Sequence, residues 1–178
     1  MATSLHPRLR VWREEDFAAY RALHADPQVA YWLGGALTTE EARLRFDRMR
    51  SRMADNGWGI WAIIGDDNVP VGAAGLQPVP EILPFAPAIE AAWRLRSDAQ
   101  GRGYVTETMG PVLADGFARL GVDEILAFTA TSNSRSRAVM ERLGFRHDTP
   151  GDFDHPALAE SHPLHRHVLY RLSRTALL

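Results

Sequence analysis

Apolar positions along the chain change their spacing several times, and each change marks an element. Leu9 and Val11 share one side of residues 8–12, as in a short strand. Glu14, Glu15 and Asp16 then offer negative charge to the positive end of a helix dipole. Phe17, Tyr20 and His24 recur at helical spacing, with Pro27 just past the expected end. Thr38 and Glu41 form a capping-box pattern for a second helix. Its apolar positions are Leu44, Phe46, Met49 and Met53, and Gly57 closes it. Tyr31 and Trp32 fall between these helices. They read either as packed aromatics, the reading favoured for Trp32, or as part of a binding pocket.

The spacing then turns to that of strands. Residues 58–64 are aromatic and β-branched, Gly65-Asp66-Asp67-Asn68 is turn chemistry, and 69–76 is apolar with small residues, so the pair reads as a β-hairpin. Pro78, Pro80, Pro84 and Pro87 exclude a regular helix or central strand from 77–88. Residues 89–96 resume a strand, 101–103 turn, and 106–120 carry Met109, Val112, Leu113, Phe117 and Leu120 on one helical face, with a kink expected at Gly110-Pro111. Residues 124–130 are apolar on both faces, as in a doubly covered strand. Residues 133–143 read as a helix closed by Gly144, with Phe145 packing back beyond the cap. A strand begins at 145–147, residues 148–163 are irregular, and 165–172 end the chain as a strand. The order β-α-α-β-β-β-α-β-α-β-β predicts one α/β (α+β) domain over 1–178, a mixed sheet with helices on both faces.

Composition removes several function classes. The chain has 178 residues, 46% hydrophobic and 24% charged, which fits one globular domain. Its 20 Lys+Arg and 22 Asp+Glu give a formal net charge of −2, against a basic nucleic-acid binder. Arg43, Arg45, Arg48, Arg50 and Arg52 spread around their helix and read as a solvated surface. The absence of cysteine excludes disulfides, thiolate metal sites and thiol nucleophiles, and fits a cytoplasmic location. No apolar run is long enough to span a membrane, and Met1-Ala2-Thr3-Ser4-Leu5-His6 lacks the pattern of a signal peptide. His155, His162, His165 and His167 lie near Asp152 and Asp154. Their spacing matches no closed metal site, so no metal is expected, and they read as loop residues or as part of an acceptor pocket.

The chemistry concentrates in 89–146. A strand ending in Trp93-Arg94-Leu95-Arg96 leads through Gln100-Gly101-Arg102-Gly103-Tyr104-Val105 into a helix from Thr106. Glycines expose successive backbone N–H groups, the helix adds its own unpaired N–H groups, and Arg102 adds a cation, so the turn can hold phosphate. A P-loop is excluded because no lysine follows the turn. A dinucleotide fingerprint is excluded because Thr106 stands where its third glycine belongs.

This stretch resembles the acetyl-coenzyme A signature of the GNAT superfamily of N-acetyltransferases, [Gln/Arg]-x-x-Gly-x-[Gly/Ala]. Gln100 and Gly103 match, and Val105 departs where a small residue is usual. Tyr104 and Thr106-Glu107 look like the branch of ribosomal-protein N-terminal acetyltransferases. A second family element, Asn133-x-x-Ser136 followed by Arg142-Leu143-Gly144-Phe145, stands at the expected distance. The resemblance implies a mostly antiparallel twisted sheet splayed between strands four and five. It implies acetyl-CoA as cosubstrate and a primary amine as acceptor, either a small molecule or a protein N-terminus. Homodimers are common in the family. Main-chain groups of Trp93, Arg94 and Leu95 would then pair with pantetheine. Gln100, Gly101, Arg102, Gly103, Tyr104, Val105 and Thr106 would bind pyrophosphate, with Asn133 on the coenzyme and Ser136 near its sulfur.

Acyl transfer to an amine needs a lone pair, hence a base. Glu90, the only carboxylate on the fourth strand, is the candidate; the competing reading pairs it with Arg94 or Arg96. Glu107 falls in a helix first turn, where a dipole interaction of roughly 0.3–1 kcal/mol accounts for it. In many family members a tyrosine seven residues after the asparagine donates the final proton. Met140 stands there, so Ser136, water or direct thiolate release must serve. The other classes are a catalytically silent acyl-CoA-binding or sensor module, and an adaptor that has lost the coenzyme, which Gln100, Gly103 and Asn133 disfavour.

Overall fold

Local signals near the N-terminus act as their chemistry dictates. In the computed structural model, which describes residues 4–176, the short strand β1 (Leu9–Arg10) is followed by a 3-10 turn and helix α1 (Phe17–Ala25). Residues 1–3, which open the N-terminal segment read above, and 177–178 lie outside the described residues. Asp26 caps a short helix that the sequence reading lacked, α2 (Pro27–Trp32), accepting from Gln28 N–H at 2.9 Å. Pro27 thus starts a helix where it was read as marking an end, because its missing N–H costs nothing in a first turn. Helix α3 (Thr39–Asn56) has the expected capping box, with Glu41 N–H on Thr38 Oγ1 at 3.2 Å and Thr38 N–H on Glu41 Oε2 at 2.8 Å. Gly57 closes it at φ 73°.

The described residues form two compact units. One contains the chain up to Leu76 and Ala92–Val112; the other contains Gln77–Ala91 and the chain from Leu113. In the first unit, β1 pairs antiparallel with β2 (Ile60–Ile64), and β2 with β3 (Pro70–Pro78), through a turn in which Asn68 has φ 62°. The last four residues of β4 (Ile89–Leu95) continue this sheet, where Arg96 N–H bonds Val71 O at 2.9 Å. Ile60, Ala62 and Ile64 pack with Trp12, Tyr20, Leu23, Val29, Ala42 and Phe46 of the helical layer, while Trp61 and Ile63 are equally buried on the opposite face. Of the periodic apolar positions on α3, Leu44 is 59% exposed, while Phe46 and Met53 are buried together with Ala42. Arg43 and Arg50 both pair with Glu14, and Arg45, Arg48 and Arg52 are exposed. Asp16 is buried. Burial pulls its pKa upward, but a two-bond contact from Arg10 and the Arg13 N–H hold it below the ordinary carboxylate value.

In the second unit the start of β4 pairs parallel with β5 (Glu124–Ala130), Glu90 opposite Leu126. Strand β8 (Arg166–Ser173) runs antiparallel to β5 from Glu124↔Ser173 to Ala130↔His167. Its other edge takes β6 (Arg146–His147) and β7 (Phe153–Asp154), a two-residue strand inside the stretch read as irregular. Helix α4 (Tyr104–Leu120) is continuous through Pro111. Helix α5 (Ser134–Arg142) is capped by Asn133, whose Oδ1 accepts from Ser136 N–H at 3.2 Å and whose Nδ2 donates to Thr129 Oγ1 at 3.0 Å. Gly144 at φ 87° ends the helix, and Phe145 N–H returns to Met140 O at 3.0 Å.

Two outcomes follow from this packing. His24 is 2% exposed, and burial, reinforced by the Arg94 guanidinium, pushes its pKa down to about 4. The unfolded chain therefore binds the proton more readily. This contribution is complete above pH ~6.5 and is lost as pH falls toward about 4, by up to roughly 3 kcal/mol. His167, also lowered to about 4 by burial, adds a change of the same sign. Urea titrations at pH 7 and pH ~4.5 should show this fall, and a His24→Gln variant should lose its own share of it. Asn133→Ala should cost about 1 kcal/mol in the same titration, and Asn133→Asp less, since aspartate keeps the acceptor for Ser136 N–H.

Candidate active site

The turn between β4 and α4 is held from several sides within the first unit. After Leu95 the chain makes a 3-10 turn, Ser97–Ala99, pinned by Asp26, whose Oδ2 accepts from Ser97 N–H and Ser97 Oγ–H at 2.8 Å each. Asp98 accepts two bonds from Arg96. Gln100 Nε2 donates to Leu95 O at 3.1 Å, closing the loop back onto the strand end. Gly101 and Gly103 have φ of 79° and 81°, the left-handed region that side chains disfavour, and a Cβ at either would meet nothing within 4 Å. Residues 101–103 are exposed and lead directly into α4, whose first N–H groups have no partner within the helix.

The helix begins at Tyr104, two residues earlier than the spacing predicted. Tyr104 is buried and its hydroxyl donates to Asp66, in the β2–β3 turn, at 3.0 Å. Arg8 lies 4.7 Å over the Tyr104 ring and 2.9 Å from Asp66 Oδ1, and Arg102 reaches Asp66 Oδ2 at 3.9 Å. Bonds from Arg8 and Tyr104 hold the Asp66 carboxyl below its ordinary pKa. Glu107 is occupied by His6 at 3.4 Å and Arg8 at 3.5 Å. The departure at Val105 has a physical reason: its side chain is 7% exposed, so it fills the interior and leaves the open face of the turn to the glycines. Thr106 and Trp93 are half-buried, as is Arg94, which donates to His24 Nε2 at 3.4 Å.

Glu90, Asn133 and Ser136 belong to the second unit. Glu90 is 6% exposed on β4, and Gln77 of β3 donates its side-chain amide to Glu90 Oε1. Sequence reading missed Gln77, because nothing local announces a cross-strand partner. Arg96, one candidate partner for Glu90, is engaged with Asp98 instead. Asn133 is committed through its cap and its bond to Thr129, and Ser136 is half-buried in the first turn of α5. Met140 is 1% exposed, in the interior. Tyr170 is buried too, its hydroxyl donating to Glu141 Oε1 at 3.0 Å and accepting from Arg137 Nε at 3.3 Å.

The aromatics of α2 correct the packing reading. Trp32 is 36% exposed and Tyr31 53%, their rings edge-on at 4.8 Å on the surface. The helix is too short to bury both faces, and Val29 and Ala30 take the inner one. Among the described residues no group of three or more His, Asp or Glu is arranged to hold a metal ion. No helix among them is long and apolar enough to cross a membrane.

This architecture recurs in solved acetyltransferases. The chain superposes on an acetyltransferase from Agrobacterium tumefaciens str. C58 with 26% identity and a TM-score of 0.72, covering 93% of this chain and 90% of the other. It shares its fold with a ribosomal-protein-alanine N-acetyltransferase from Brucella melitensis, 19% identical, TM-score 0.72, covering 93% and 98%. It also shares it with spermidine N-acetyltransferase from Vibrio cholerae in complex with CoA and spermine, 15% identical, TM-score 0.72, covering 95% and 96%. Residues 7–146 match the acetyltransferase (GNAT) domain, and with more than half of its length inside that match, the chain belongs to the GNAT acetyltransferase family.

Proposed function

We propose that the chain, as one domain, is an acetyl-CoA-dependent N-acetyltransferase that transfers an acetyl group to a primary amine by direct attack in a ternary complex, in the cytoplasm. The observation that carries this reading is the turn after β4, with two left-handed glycines whose Cβ positions are open space, a neighbouring arginine, and the free N–H groups of α4. Such an open cradle fits a pyrophosphate, and a side chain at either glycine would stand in the space the phosphates take. Trp93, Arg94 and Leu95 offer main-chain groups to pantetheine, Gln100 braces the turn, and Gly101, Arg102, Gly103, Tyr104, Val105 and Thr106 surround the phosphates. Asn133 contacts the coenzyme, and Ser136 sits near its sulfur end. Acetyl-CoA supplies the activated acetyl group. Glu90 takes a proton from the incoming ammonium, and a β4 main-chain N–H faces the oxygen on which negative charge grows. An α-amine of pKa ~8 asks less of Glu90 than a lysine amine of ~10.4.

Protein alanine and spermidine both appear as acceptors in the names of proteins with this fold, so the fold alone leaves the acceptor open. A second reading, a silent acyl-CoA-binding module, draws on the buried Met140 at the usual tyrosine position. Thiol release from acetyl-CoA across an amine panel separates the two: release with an amine supports transfer, and CoA binding without release supports the module.

Two substitutions test the site. Gly103→Val should abolish CoA binding by calorimetry, because a β-branched residue at φ 81° is strained and its side chain enters the cradle. Arg102→Ala, which leaves the backbone alone, should weaken CoA binding with an unchanged Tm. Wild-type affinity in both would move the phosphate site elsewhere. Glu90→Gln should lower kcat by ~10² or more while CoA affinity stays constant. An undiminished kcat would remove Glu90 from proton transfer.

A further inference from the structure

Three of the chain's seven histidines are followed by proline, at His6-Pro7, His155-Pro156 and His162-Pro163. Each pair builds the same turn. The residue three along returns its N–H to the histidine carbonyl: Leu9 to His6 at 2.8 Å, Leu158 to His155 at 2.9 Å and His165 to His162 at 2.9 Å. Proline suits the second place of such a turn, where its fixed φ fits and no N–H is called for. The third residue has an N–H that the turn itself leaves over, and the imidazole takes it. Arg8 N–H donates to His6 Nδ1 at 3.2 Å, Ala157 N–H to His155 Nδ1 at 3.3 Å, and Leu164 N–H to His162 Nδ1 at 3.1 Å. The ring thus takes the part that an aspartate or asparagine side chain takes in an Asx turn.

Unlike a carboxamide, an imidazole loses this part when it gains a proton. Nδ1 accepts only while it keeps its lone pair, so each neutral ring carries its proton on Nε2. At His6, Nε2 faces Glu107 Oε1 at 3.4 Å, as a donor should. A second proton has to go to Nδ1, where it meets the backbone N–H, donor against donor. At His6 the gained charge is offset by Glu107. Neither His155 nor His162 forms an ion pair among the described residues, so nothing offsets it there.

These two turns lie in one loop, 155–165, between β7 and β8. Its ends are tied by His155 N–H on His165 O at 2.8 Å, and Leu164 is buried beneath it. The His155 ring faces the His167 ring at 5.0 Å, and burial together with the neighbouring His165 lowers the His155 pKa. His167 is held at about 4 by burial and stays neutral near pH 6. Glu160 is exposed on the same loop as His162, and Asp152 is engaged with His147 at 2.8 Å. His165 works in the opposite sense. Its Nδ1–H donates to Leu158 O at 3.1 Å in either charge state, and its Nε2 lies 3.8 Å from Asp154, so a proton there tightens the loop. That gain is small, because Asp154 is 57% exposed and already paired with Arg166 at 3.2 Å, whereas each cap is lost outright.

We propose that residues 155–165 form an acid-opened clasp, shut while His155 and His162 cap their own turns and released when the two rings take up protons. It stands apart from the transferase reading and holds with or without it. The open loop takes up protons as free imidazole does, near pH ~6.5, and the closed loop resists them. Closure is therefore complete above pH ~6.5 and weakens below it, by about tenfold for each histidine one pH unit lower.

Amide hydrogen exchange followed by NMR at pH ~7.5 and pH ~5.5 tests the clasp. After correction for intrinsic rates, protection at the Ala157 and Leu164 amides should fall about tenfold at the lower pH. The imidazole nitrogen shifts at the higher pH should show Nδ1 unprotonated in His155 and His162. His155→Asn and His162→Asn each keep an acceptor for the same N–H but have no proton to gain, so each should abolish the fall at its own turn and leave the other turn as in wild type. Protection that does not change with pH in the wild type, a proton on Nδ1 of either ring at the higher pH, or an undiminished fall in the asparagine variants overturns the proposal. If one variant does not fold, the other and the wild-type comparison decide the matter.

Discussion

The geometry of the chain as it leaves β4 is the constraint on which the candidate site depends. Residues 96–104 must turn sharply to lead from β4 into α4, and two residues at positive φ, Gly101 and Gly103, accomplish this. Glycine permits that path but does not fix it, because an unrestrained glycine turn samples many others. The fixing comes from side chains that face away from the open cradle. Gln100 holds the Leu95 carbonyl, Asp26 holds Ser97 twice, and Tyr104 is anchored through its hydroxyl on Asp66. Each of these bonds links the turn to a different element of the first unit. The phosphate site proposed for this turn is therefore formed before its ligand arrives, so little ordering entropy opposes binding.

At Asp16 and His24 the surroundings of a buried polar group set its protonation. Asp16 is kept charged by Arg10, whereas His24 is kept neutral by its surroundings. His24 Nδ1 faces Tyr20 O at 2.9 Å and must carry the proton, so Nε2 is left as the acceptor for Arg94 at 3.4 Å. Protonating His24 would place a cation against the Arg94 guanidinium. The same side chain that couples stability to pH therefore also supports a β4 residue beside the main-chain groups assigned to the coenzyme.

Elements governed by neighbours in sequence were legible from it. The Thr38–Glu41 box, the Gly57 and Gly144 stops and the 65–68 turn each depend on a few adjacent residues, and each forms as read. The glycine turn was legible for the same reason. Helix α2 was missed although Asp26-Pro27 carried a start signal, because a proline after a helical stretch reads equally well as a stop. Trp32 was misjudged because a large aromatic reads as packed whether or not a neighbour covers it. Gln77 on Glu90 and Asp66 on Tyr104 arise from contacts between elements distant in sequence, which no local pattern encodes.

Met140 bears on how the proton inventory of the reaction closes. A tyrosine there would need its hydroxyl in reach of the departing sulfur, yet the Met140 side chain is sealed in the interior at 1% exposure. Enlarging it to a tyrosine would press a polar atom into a packed core, with costs of roughly 1–3 kcal/mol for overpacking and more for an unpaired hydroxyl. The interior around position 140 is therefore shaped for an apolar chain, and the methionine is not a catalytic tyrosine lost from an otherwise intact niche. Ser136 lies one turn earlier on the same helix, is half-buried and has its N–H already satisfied by Asn133, which fixes the helix start without engaging the hydroxyl. A thiolate of ordinary pKa ~8.5 needs only modest help near pH 7. A hydroxyl or a water there suffices where an oxygen leaving group would demand a strong acid, and the substitution of methionine for tyrosine is chemically compatible with turnover.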